Sequence, residues 1–194
     1  MMVNQNGNFD NGDRYVISSL SESDLSNKVH QDYRKKIQGI EKVYVPYYEF
    51  HTLATFPAGK PPQKKVFHCD AILQTITPLP DDFSQPRLVS RSSGTLFPVA
   101  YEPAYVRNTL RRHVIEKLPV DYSCEDGAFN LTIEYNGRYF FPFWVAYFQG
   151  ARQDLFEIVV FDPLTGDASE IGKDIVEKGF ILQEEARVDL PPWF

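Results

Sequence analysis

The clearest alternation of apolar and polar positions in this chain lies between Asn130 and Gly166, in NLTIEYNGRYFFPFWVAYFQGARQDLFEIVVFDPLTG. Leu131, Ile133 and Tyr135 alternate with Thr132 and Glu134, the period-2 signature of a strand with one solvated face. Asn136-Gly137 tolerates positive φ and predicts a type I′ hairpin turn. From Arg138 to Phe148 the run is aromatic on both faces, so the next strand is expected to be buried on both sides. Gly150 permits a further turn, Leu155–Phe161 returns as a third strand, and Asp162-Pro163-Leu164-Thr165-Gly166 closes it. The expectation is three antiparallel strands around an aromatic spine.

Two other stretches carry a helical rhythm. Leu25, Val29, Tyr33 and Ile37 recur every fourth residue behind a capping box, Ser21 with Asp24, and Gly39 stands where a C′ residue would. Val106, Leu110, Val114 and Leu118 repeat the stripe behind Pro103, and Pro119 stops it. Helices are therefore predicted over 22–38 and 103–117, with a short third one over Ser169–Lys178 ended by Gly179. Tyr15–Ile17 reads as a short edge strand, and Glu41–Phe56 and Val66–Thr77 as strands separated by the basic, turn-rich PAGKPPQKK. Residues 1–14 lack core formers and predict a disordered lead. Four prolines make 78–98 a connector.

The resulting fold class is α+β, an antiparallel sheet with two main helices packed on it. Residues 15–194 form one domain of two similar halves, about 20–77 and 100–182. VYVPYYEFHTL (43–53) echoes YFFPFWVAYFQ (139–149), with Pro46 against Pro142. Internal duplication of a helix–hairpin unit is one explanation; coincidence between two ring-rich strands is the other.

The helix followed by a strand ending in VVFDPLTGD resembles PepSY-type modules, small α+β units whose last strand runs into such a turn. VYVPYYEF and YFFPFWVAYF are similar to strand pairs of bacterial zinc-ribbon membrane proteins of unknown role, although no zinc ribbon, anchor or secretion signal accompanies them here. The likeness covers 139–168 well and 22–77 poorly. It implies a fold and a binding or inhibitory module, and it transfers no catalytic residue.

Composition narrows the function classes. With 15 Phe and 11 Tyr the core is expected to be built from rings. A net charge of −6 disfavours nucleic acid or an anionic membrane as the partner. Two cysteines without C-x-x-C spacing fit a reducing cytoplasm. The N-terminal residues lack the pattern of a signal peptide, and no apolar run reaches the ~20 residues that span a bilayer. His68 and Cys69 are neighbours on a strand and point to opposite faces, so no metal site is expected, and no cofactor motif occurs.

The leading reading is a non-enzymatic module that binds a protein or peptide partner. Candidate binding residues are Arg107, Arg111 and Arg112 on the second helix, together with Trp193 and Phe194 behind two prolines. With Lys60, Lys64 and Lys65, that helix could form an anion-binding surface; the alternative is a solvated face. Two further function classes stay open. One is a small hydrolase or transferase using Cys69 or Cys124 with a histidine, and the other a nucleic-acid accessory protein using helix 103–117.

Overall fold

A computed structural model describes residues 14–33, 35–56, 61–77, 94–122, 129–150 and 156–188, with side chains omitted over 118–122. In chain order the elements are β1 (Arg14–Tyr15), α1 (Glu22–Asp32), β2 (Ile37–Thr55), β3 (Gln63–Asp70), β4 (Ile76–Thr77) and β5 (Thr95–Leu96). They continue with α2 (Pro103–Tyr122), β6 (Asn130–Gln149), β7 (Phe156–Phe161) and α3 (Glu170–Val188). The class is α+β. The sheet is mixed rather than purely antiparallel, because β5 lies parallel to β2 while β2–β3 and β6–β7 pair antiparallel. Three helices stand among the described residues, and the third, expected to be short, is nearly as long as α2.

The contacts divide into two compact units. The first gathers the described residues of 47–85 and 99–139, the second those of 14–46, 86–98 and 140–194. β2 and β6 therefore each lend one end to each unit.

In the first unit the strands run β6, β2, β3, β4. Tyr48, Phe50 and Ala54 of β2 and Cys69 of β3 meet Val106, Leu110 and Val114 of α2, so these three members of the predicted stripe form its buried face, while the Leu118 side chain lies outside those described. The Asp70 carboxylate, fully buried, ends β3 by accepting from the N–H groups of Ile72 (2.9 Å), Leu73 (2.5 Å) and Thr75 (2.7 Å). That turn puts Gln74 at φ 61° and splits the strand expected over 66–77 into β3 and β4.

In the second unit Leu25 and Val29 of α1 pack on Trp144, Ala146 and Phe148 of β6 and Phe161 of β7. The capping box at Ser21 and Asp24 forms as expected. The helix stops at Asp32, however, and Tyr33 is already extended, with its ring 5.3 Å from Phe148 and 6.1 Å from Phe161. Tyr33 and Ile37 keep their place in the apolar stripe from outside the helix. Gly39 is a strand residue rather than a helix stop.

The hairpin expected at Asn136-Gly137 is absent: β6 runs unbroken through both residues, with Gly137 at φ 132°. Asn136 Nδ2 donates to Glu49 Oε1, a cross-strand partner that holds the segment extended, and glycine accepts the local distortion. The third helix also outruns its expected end. Gly179 lies inside α3, where a Cβ would fall under 3.0 Å from ring carbons of the buried Phe97. The residue serves close approach there, not termination.

Candidate binding site

The described residues of the first unit line a partly open cavity of about 220 Å³. Two periodicities assemble it. Gln63, Lys65 and Phe67 are alternate residues of β3 and so share one face. Thr52 and Ala54 of β2 stand directly opposite Lys65 and Gln63, on that same face. His113 and Lys117 of α2 are four apart and lie one above the other beside Val114. Ile76 of β4 and Leu131 of β6 complete the lining.

The polar groups around this apolar lining differ in how well they are paired. Thr52 Oγ1 donates to the Lys65 carbonyl at 3.1 Å and is satisfied. The Gln63 Oε1 atom is buried and accepts no hydrogen bond from the described residues. Among the described residues no carboxylate pairs with Lys65 or Lys117. Burial, and secondarily the Lys117 charge, lower the His113 pKa from its ordinary value, against an opposing pull from Glu116. A ring so placed favours the neutral form at neutral pH and can offer an N–H.

Among the described residues, the strand edge beside the cavity is covered only in part. β3 pairs with β2 along its whole length, whereas β4 covers only His68 and Cys69. Among the described residues no strand lies on the other side of Gln63–Phe67. Main-chain N–H and C=O groups on such an edge can take another extended segment.

The sequence-level candidates fall in several places. Arg107, Arg111 and Arg112 are exposed on α2 and do not line the cavity. Trp193, Phe194, Cys124 and Lys60 lie outside the described residues. Lys65, read as part of a basic loop, belongs to β3 and shares the cavity with Lys117 and His113. Gln63 falls in the same loop segment of the sequence; the signal for its place on the strand is the spacing of Gln63, Lys65 and Phe67 at every second residue.

Cys69 is fully buried, and burial, with the neighbouring Asp70, pushes its thiol up to about 12. It is neither accessible nor a thiolate near neutral pH. His68 beside it is buried, its Nδ1 2.9 Å from the Tyr139 hydroxyl. His51 pairs instead with the buried Glu49, at 2.8 Å. Among the described residues no three His, Cys, Asp or Glu side chains cluster as metal ligands. None of the described helices is long and apolar enough to cross a membrane. Comparison with protein families, with curated proteins and with solved structures finds no match for this chain.

Proposed function

We propose that this chain is a non-enzymatic binding module that takes an extended peptide segment of a protein partner along the outer edge of β3, seating one side chain in the adjoining cavity. The single observation that carries the reading is the apolar cavity built from β3, beside a stretch, Gln63–Phe67, whose outer edge no strand among the described residues covers. Strand addition supplies main-chain hydrogen bonds, worth about 0.5–1.5 kcal/mol each, and the pocket supplies side-chain selection. Burying one aliphatic or aromatic side chain adds about 1.5–3 kcal/mol. The volume favours one side chain over a whole cofactor, since sites for drug-sized ligands run from roughly 300 to 1,000 Å³.

Panning a displayed library of random peptides on the full chain tests this. Peptides selected on the wild type are expected to lose binding to Ala54→Phe and to Leu131→Phe, each of which fills the cavity, while circular dichroism shows the fold retained. Selected peptides that bind either variant undiminished would place the site elsewhere.

The build of the chain supports a second proposal, that it is two copies of one β-α-β-β unit. Phe97 donates its N–H to the Tyr44 carbonyl ahead of α2, and Val16 to the Phe140 carbonyl ahead of α1. Ala71, behind the Asp70 turn, accepts from the N–H groups of Ala100 and Tyr101; Pro163, behind the Asp162 turn, accepts from Ser19. The turns match as well: the Asp70 N–H donates to the Thr75 carbonyl and the Asp162 N–H to that of Asp167, with Gln74 and Gly166 both left-handed. In this reading each compact unit joins the helix of one copy to the hairpin of the other. A PepSY-like ancestry and a cytoplasmic setting belong to the same proposal, supported by the strand-to-Asp162 turn and by the free thiol of Cys69.

A further inference from the structure

We infer that the cavity beside β3 is an end-binding site, made for the free C-terminal residue of the partner peptide rather than for an internal one. The inference rests on the reading that a peptide lies along the β3 edge. A terminal residue carries three groups, and each has a counterpart here. Its apolar side chain meets Phe67, Ile76, Val114 and Leu131. Its α-carboxylate meets Lys65 and Lys117, cations with no carboxylate partner among the described residues, in a chain whose net charge is −6. Its backbone N–H meets Gln63 Oε1, a buried acceptor with no partner among the described residues.

The geometry decides among anionic ligands. An internal Asp or Glu carries its charge at the tip of the side chain, so seating it would bury an anion against apolar walls, which is costly without full pairing. A terminal residue separates the two: the side chain goes in and the carboxylate remains at the rim. A free small carboxylic acid would satisfy the lysines and the apolar lining but has no amide N–H for Gln63. Buried acceptors discriminate strongly against ligands that leave them unpaired.

Fluorescence anisotropy on the full chain tests the inference. The probes are N-acetylated tetrapeptides ending in Val, Leu or Phe, each as the free acid and as the C-terminal amide, with isovalerate as competitor. The acid is expected to bind at least about tenfold more tightly than its amide, as loss of a charge-assisted contact predicts. Lys65→Met and Lys117→Met, exposed positions where folding is not at risk, should each weaken the acid several-fold and leave the amide unchanged. Gln63→Leu should weaken acid and amide alike. Equal binding of acid and amide would overturn the end-binding inference and leave the strand-edge reading standing. Isovalerate competing as well as the peptide acid would also overturn it, in favour of a small carboxylate site. Failure of acid and amide alike to bind at millimolar concentration would sink both the inference and the reading beneath it.

Discussion

Asp70 and Asp162 hold turns of one kind from different depths, and the difference should be measurable. Asp162 accepts from the N–H groups of Leu164 (2.8 Å) and Thr165 (3.1 Å) while partly exposed, so water can replace it. Asp70 has no exposure, and its three N–H partners would lose their acceptor in a drier setting. Burial raises the pKa of Asp70, and the backbone N–H groups oppose that rise. Asp70→Ala is expected to cost ~1–3 kcal/mol for the unsatisfied groups, and Asp162→Ala less; guanidinium unfolding of the two variants, compared at equal m-value, checks the order. The DPLTG turn was legible because proline and glycine announce it. DAILQT contains neither residue, and its left-handed position is filled by glutamine, so that turn was not legible. Cys69 adds a prediction at the same scale. In a Cys124→Ser background, native protein should react with iodoacetamide at neutral pH only at the rate at which it opens; fast labelling would contradict the buried, protonated thiol.

Among the elements, periodicity identified the buried face more surely than the secondary structure. The Leu25/Val29/Tyr33/Ile37 stripe packs on one cluster, yet only its first two members are helical. Local punctuation misled where tertiary contacts supplied the missing partner. Asn136-Gly137 stays extended because Glu49 receives the asparagine amide, and Gly179 stays helical because α3 closes on Phe97. Gly179→Ala sets two effects against each other. Alanine gains about 1 kcal/mol of helix propensity over glycine, while forcing a methyl into a packed ring costs about 1–3 kcal/mol. Phe97 is 2 % exposed and has no room to retreat, so the second effect wins. The variant should melt a few °C lower, at roughly 2–4 °C per kcal/mol for a chain of this size, and adding Phe97→Leu should recover part of the loss. A Gly179→Ala protein more stable than wild type would show that the ring yields. The candidate site was half legible at this scale: the basic residues stood out, but the loop reading of 57–65 hid the strand that aligns Gln63 with Lys65.

At the scale of the whole molecule, the assignment of helices to hairpins governs what can fold alone. The β2–β3 hairpin packs on α2, and the β6–β7 hairpin on α1. Two fragments made by division between Gln85 and Pro86 would each hold a hairpin without its helix. Each is expected to be unfolded alone by circular dichroism, and an equimolar mixture to regain the native spectrum. A cooperative melt from either fragment by itself would show that its core closes without the other. Sequence alone could not reveal this exchange, because amphipathic stripes say that a face is buried but not against which strands. The same exchange sets an order of events on the ribosome. The stripe of α1 leaves the exit tunnel long before Trp144, Phe148 and Phe161 have been synthesised. At ~5–20 residues per second the nascent helix waits on the order of ten seconds for its partner strands. During that interval Leu25 and Val29 lack the strands that bury them, and synonymous codons that slow translation before β6 would lengthen the exposure without altering a single residue.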